Sequence, residues 1–242
     1  MPLNRIAYPS PNYSSRAGSP ITTLVLHTAE GALSIASLGA YFSNPAAQVS
    51  SHVGIDDQAG TIGEYVQRPG KAWTAANANP YAVQAELCAF ASWDSAEWNR
   101  HPNMLATAAA WIAEESAALG IPIATLTDAQ AQSAGRGVCQ HAQLGAMGGG
   151  HWDCGPSFPI ARVLEMAKGG PTPPPPQPEE EPEMLMIYAD GTGKCLFDGA
   201  TKQAVADGES DRAFTAAGVK SAKVSRAQFD LIPWVSQILV PK

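Results

Sequence analysis

The chain reads as an α/β protein: a central mixed β-sheet flanked by helices, followed by a small C-terminal α+β domain. Three observations predict this. Short apolar runs rich in Val, Ile and Leu alternate with segments whose apolar residues recur at helical spacing. A Pro- and Glu-rich stretch then breaks all periodicity near residue 170. The 242 residues, 45% hydrophobic and 15% charged, suffice for one full domain and a small second one.

The elements follow in order. Residues 22–27 form an apolar run that predicts a buried strand ending at His27. Residues 34–42 carry Ile35, Leu38 and Phe42 at helical spacing. Residues 49–55 and 61–66 predict two strands joined by the turn-rich Asp56-Asp57-Gln58-Ala59-Gly60. A further apolar strand is expected over 83–90 and a long Ala-rich helix over 103–119, stopped by Gly120 and Pro122. A last helix, 160–168, starts behind Pro159.

These elements set the domain boundaries: a large first domain over 1–168, a linker over 169–183 and a small domain over 184–242. Consecutive prolines favour an extended backbone and the neighbouring glutamates repel, so the linker reads as a semi-rigid spacer; a Pro-rich docking ligand is the rarer alternative. In the small domain, 184–188 and 194–197 suggest a hairpin, with a helix at 210–217 and a second stretch at 225–234. It holds no catalytic constellation.

Composition narrows the function. A formal net charge of −7 disfavours a nucleic-acid partner. No run approaches the ~18 apolar residues of a membrane span, and the N-terminus lacks the apolar core of a secretory signal. The expectation is a protein made in the cytoplasm without a signal peptide. Four scattered cysteines are too few for a disulfide scaffold; Cys88 reads as a buried small hydrophobe, while Cys139 and Cys154 flank the segment of greatest chemical interest.

That segment runs from His141 through Met147-Gly148-Gly149-Gly150 to His151-Trp152-Asp153-Cys154-Gly155-Pro156. A glycine-rich loop can fold back so that His141 and Asp153 converge, and His27, at the end of its strand, is the candidate third partner. Two imidazoles and a carboxylate, with a fourth position left to water, form the ligand set of a catalytic zinc site, which points to hydrolysis.

The order of several separate motifs gives the site its context: Leu24-Val25-Leu26-His27-Thr28-Ala29-Glu30-Gly31, Ser51-His52-Val53-Gly54-Ile55-Asp56, Ala72-Trp73-Thr74-Ala75-Ala76-Asn77, Gln84-Ala85-Glu86, and the His141 to Pro159 segment. Over roughly residues 5–168 the chain resembles the zinc-dependent N-acetylmuramoyl-L-alanine amidases, the family shared by many bacteriophage endolysins and the peptidoglycan recognition proteins. The resemblance implies a central mixed sheet with Zn2+ in a groove on one face. It also implies hydrolysis of the amide joining N-acetylmuramic acid to L-alanine of the stem peptide, with bacterial peptidoglycan as substrate and action on the cell wall after release.

Carried over, the family's metal ligands fall on His27, His141 and Asp153. Cys154, the next residue, is a softer ligand that competes for the same place; Gly155 and Pro156, at the family's spacing, favour Asp153. Glu86 matches the family's strand glutamate and is the candidate general base, against the plainer reading of a salt-bridged strand glutamate. His151 stands where relatives carry Lys or His and is the candidate stabiliser of the oxyanion. His52 reads as lining the groove or backing the ligands, and Trp73, Asn77 and Asn79 as substrate contacts; Thr74 and Ala76 depart from the family's His and Gly. Ser51 stands where some relatives have tyrosine. By analogy with modular endolysins, 184–242 is expected to hold a cell-wall polymer; a packing or oligomerisation domain is the alternative. The competing functions are a non-catalytic peptidoglycan-binding protein of the same fold and a cytoplasmic amidase that recycles muropeptides.

Overall fold

A computed structural model describes residues 2–170, the backbone of four short strands within 185–223, and Asp230. The chain divides into two compact units, 1–175 and 176–242.

The first unit is built on a six-stranded mixed sheet. Its strands are β1 (Asn4–Ala7), β3 (Thr23–Thr28), β4 (Val53–Ile55), β5 (Thr61–Glu64), β7 (Ala82–Leu87) and β8 (Gly137–Gln140), in the order β1-β5-β4-β7-β3-β8. Only the β4–β5 pairing is antiparallel. A separate antiparallel pair joins β2 (Tyr13–Ser15) to β6 (Gly70–Ala72). The central strands β3 and β7 are buried along their whole length, as expected of parallel strands covered on both faces.

Alternation along these strands sorts their side chains. Leu24, Leu26, Val83, Ala85, Leu87 and Val138 join the main core with α3 (Pro102–Leu119) and α5 (Ile160–Ala167). On the opposite face, Val25 and Cys139 pack with Leu126, Ala131 and Leu144. His27, Gln84 and Glu86 therefore emerge on the second face, because strand side chains alternate with a period of two. The helix α3 opens with Pro102 at its first turn and ends at Gly120, whose φ of 65° is left-handed.

Helix α1 (Ile35–Phe42) starts at a Ser34–Ser37 capping box and packs against β4 and β5. Gly54 makes room beneath it: a Cβ there would stand 2.2 Å from the Tyr65 hydroxyl, which donates to the Ile35 carbonyl at 2.9 Å. The two remaining helices are α2 (Ser95–Asn99) and α4 (Asp128–Gln132).

The predicted strand at 49–55 is shorter than expected. Pairing begins only at Val53; Gln48 takes a left-handed φ of 54°, and residues 49–52 turn aside to form loop structure. The strands expected over 61–66 and 83–90 likewise end early, at Glu64 and Leu87.

In the second unit, β9 (Leu185–Tyr188) pairs antiparallel with β10 (Cys195–Phe197), and β11 (Lys202–Ala204) and β12 (Ser221–Lys223) complete a four-stranded sheet. The helix expected over 210–217 lies outside the described residues, as does nearly all of 225–234.

Candidate metal centre

His27, His141 and Asp153 converge. All three are buried, and the ligand atoms they offer lie within 4.8 Å of one another. His27 arrives on the penultimate residue of β3, and His141 directly follows β8, which pairs with β3. Asp153 is carried by a loop whose next residues are anchored in the core: Cys154 is fully buried, and Phe158 packs edge-to-face on Trp98. Gly155 is required there, with a φ of 88° and no space for a Cβ, which would meet the Ala91 carbonyl oxygen at 1.9 Å.

The hydrogen bonds around the cluster decide its chemistry. His141 Nε2 lies 2.7 Å from the Gly148 carbonyl, which only accepts, so the ring proton sits on Nε2. His27 Nε2 lies 3.0 Å from the side-chain oxygen of Gln84. Both Nδ1 atoms are thereby left to face inward. They stand 2.9 Å apart, with the Asp153 oxygens 3.4 Å from His27 Nδ1 and 3.2 Å from His141 Nδ1. Two imidazole lone pairs and a carboxylate this close repel unless they share a cation. The separations also suit one, since tetrahedral ligands at ~2.0–2.1 Å from a zinc ion stand roughly 3.3 Å from each other. The donor set fits zinc. The Thr28 amide also donates to Asp153, at 3.3 Å.

Glu86 stands beside this cluster, 9% exposed, in register with His27 across β7 and β3. Burial, with Asp153 and Glu30 nearby, pushes its carboxyl up to about 8. His151 is exposed and stacks on His141 with ring centroids 4.7 Å apart. These residues open onto a groove of about 600 Å3 whose walls include Leu38, Tyr41, Ser50, Trp73 and Thr74.

Other residues singled out in the sequence lie elsewhere. His52 is buried and does not line this groove: its Nδ1 accepts the Gln84 amide at 3.1 Å, and its Nε2 lies 2.8 Å from the buried guanidinium of Arg16. Asn79 also points inward, its Oδ1 accepting from the Thr74 and Ala75 amides and from Gln84. Asn77 is exposed on a short 3-10 turn, Ala76–Ala78, outside the groove walls. Trp73 does line the groove, with its indole N–H donating to Ser14 at 3.1 Å. Ser51 is buried and donates to the Gln84 carbonyl. Cys154 turns its side chain into the hydrophobic core and away from the ligand cluster, and burial raises its thiol well above the ordinary range. Gln84 and Gly148, which fix the two imidazoles, carry no motif of their own.

The chain is similar to several known proteins. A bacterial amidase from Achromobacter lyticus, N-acetylmuramoyl-L-alanine amidase A, is 37% identical over 90 residues, a match that spans 37% of this chain and 49% of that protein. Among solved structures, the Staphylococcus aureus hydrolase AmiA superposes with a TM-score of 0.50 at 18% identity, covering 63% of this chain and 73% of its own. An AmpD structure covers 68% of this chain and 93% of its own at 19% identity, with a TM-score of 0.48. The family model described as N-acetylmuramoyl-L-alanine amidase matches residues 17–156, a span that includes His27, Glu86, His141 and Asp153. The chain belongs to the N-acetylmuramoyl-L-alanine amidase family.

Proposed function

We propose that this chain is a zinc-dependent peptidoglycan hydrolase that cleaves the amide between N-acetylmuramic acid and L-alanine of the stem peptide. The observation that carries this reading is the convergence of two Nδ1 lone pairs and a carboxylate at the floor of an open groove, with a further carboxylate beside them.

His27, His141 and Asp153 would hold the ion. Zinc bound there supplies a Lewis acid for the amide carbonyl and brings the pKa of water toward ~7. Glu86 is free for proton work, since no hydrogen bond among the described residues engages its carboxylate. It takes the proton of the attacking water and returns it to the departing amine of L-alanine. Burial and the neighbouring carboxylates raise its affinity for a proton above that of an ordinary glutamate in the metal-free protein. His151, at the lip of the groove, donates to the carbonyl oxygen as negative charge develops. Leu38, Tyr41 and Trp73 supply walls against which the acyl and peptide portions are oriented.

Digestion of purified peptidoglycan with and without chelator, followed by mass spectrometry, tests the proposal. Free stem peptides beginning with L-alanine, lost on chelation and restored by zinc, are the expected products. Co-sedimentation with the wall and no cleavage would instead make this a binding protein. The unit beyond the linker fits a role as a module that grips a wall polymer, with support from its slight excess of basic residues and from Tyr188, Phe229 and Trp234. Full-length protein that sediments with purified walls no better than a chain stopped after residue 175 would overturn that part.

A further inference from the structure

We propose that Gln84 is a positioning residue that dictates which ring nitrogen of His27 faces the metal, and that Asn79 in turn dictates how Gln84 is oriented. The inference deepens the zinc reading above and rests on it.

The assignment starts from atoms whose roles are not in question. The backbone amides of Thr74 and Ala75 can only donate, and both point at Asn79 Oδ1, at 3.1 and 2.6 Å. That oxygen is therefore an acceptor, so the Gln84 group 2.9 Å away must be its NH2. The Gln84 amide is thereby fixed with Oε1 toward His27. An oxygen 3.0 Å from His27 Nε2 requires a proton on that nitrogen. The lone pair of His27 is then on Nδ1, in the ligand cluster.

Each member of the relay is buried, Gln84 completely, so water does not compete for these bonds. A Gln84 amide turned the other way would present NH2 to Nε2, favour the Nδ1–H form and aim an N–H at the metal position. The two histidines are thus held by different means. His141 is held by the Gly148 carbonyl, which no side-chain change removes. His27 depends on two side chains, and the far end of its relay is the backbone of Thr74, a wall residue of the groove.

The test combines a spectroscopic and a binding measurement on the full chain. Long-range 1H–15N correlation of the chelator-treated protein at mildly alkaline pH should show His27 protonated at Nε2. Zinc affinity, read by competition with a chromogenic chelator, should fall about 10–100-fold in Gln84→Met and in Asn79→Ala, the usual cost of removing a group that orients a ligand. Asn79→Asp keeps the accepting oxygen and should bind zinc within about threefold of the parent. A His27 proton found on Nδ1 in the parent protein overturns the proposal, as does undiminished zinc affinity in folded Asn79→Ala. Failure of the parent to bind zinc would refute the metal reading, while the tautomer measurement would still decide the relay. Should Gln84→Met not fold, the tautomer and the Asn79 pair decide alone.

Discussion

Glu86 and His27 occupy one row of the sheet, partnered Cα to Cα across the parallel strands β7 and β3. Register partners project to the same face, so the backbone itself delivers a carboxylate beside His27 without placing it in the His27–His141–Asp153 cluster. Glu86→Gln keeps shape and removes only the capacity to carry a proton. We expect zinc content to be unchanged and kcat on peptidoglycan to fall by about 10^2–10^4-fold. Metal analysis and product quantification on the same preparation check this; a variant retaining most of its turnover would assign the base elsewhere.

The same carboxyl makes the metal-free protein sensitive to alkali. Its folded pKa of about 8 lies above the ordinary 4.5, chiefly through burial. The folded state therefore holds the proton more tightly than the unfolded chain. That contribution to stability is complete below about pH 4.5 and is lost as pH rises through 8. The loss amounts to roughly 5 kcal/mol in this buried setting. Chelated parent protein should lose thermal stability from pH 5 to 9 relative to chelated Glu86→Gln. Parallel Tm curves for the two would refute the assignment.

The cluster of His27, His141 and Asp153 was legible in the sequence because each member sits in a locally recognisable setting. His27 ends an apolar run and His141 and Asp153 bracket a run of glycines. The sheet was legible where its strands are buried on both faces. It was not legible at β1, an edge strand without an apolar alternation, nor at β8, only four residues long. The polar residues behind the site were only partly legible. Asn79 looks like a groove contact by type and position, yet it spends its hydrogen bonds inside the protein, and of the two roles open to His52, lining the groove or backing the cluster, its contact with Gln84 fits the second. Gln84 was passed over because its importance comes from what the fold places at either end of its amide, which local pattern does not encode.

Asp153 and Cys154 are adjacent in sequence but opposite in environment. One side chain joins the histidines; the other is fully buried among core hydrophobes with its thiol strongly protonated. Asp153→Ala should abolish zinc binding, together with the zinc-dependent rise in Tm that a native-state ligand confers. Cys154→Ala should keep zinc affinity and lose stability by about 1–2 kcal/mol through lost packing. Equilibrium dialysis and thermal melts with and without zinc separate the two; weakened zinc binding in Cys154→Ala would return the thiol to the ligand set.

Arg16 and His52 form a buried pair that makes the fold sensitive to acid. The Arg16 guanidinium is buried without a carboxylate partner among the described residues, donating to the carbonyls of Arg68, Asn79, Pro80 and Ala82, and burial lowers its pKa to about 10. His52 lies against it, and burial followed by the Arg16 charge depresses its pKa to about 3. With an ordinary value of 6.5, the unfolded chain takes up this proton first. The stability His52 contributes is therefore present above pH 6.5 and is lost as pH falls toward 3, by roughly 5 kcal/mol in all. Its consequence reaches the His27 cluster, because His52 accepts from the backbone N–H of Gln84, whose side chain contacts His27. His52→Gln removes the titrating group while keeping an acceptor for that amide. In chelated protein, where zinc release does not contribute, its acid limb should be shallower than the parent's between pH 6.5 and 3. Coincident acid limbs would show that His52 does not govern this transition.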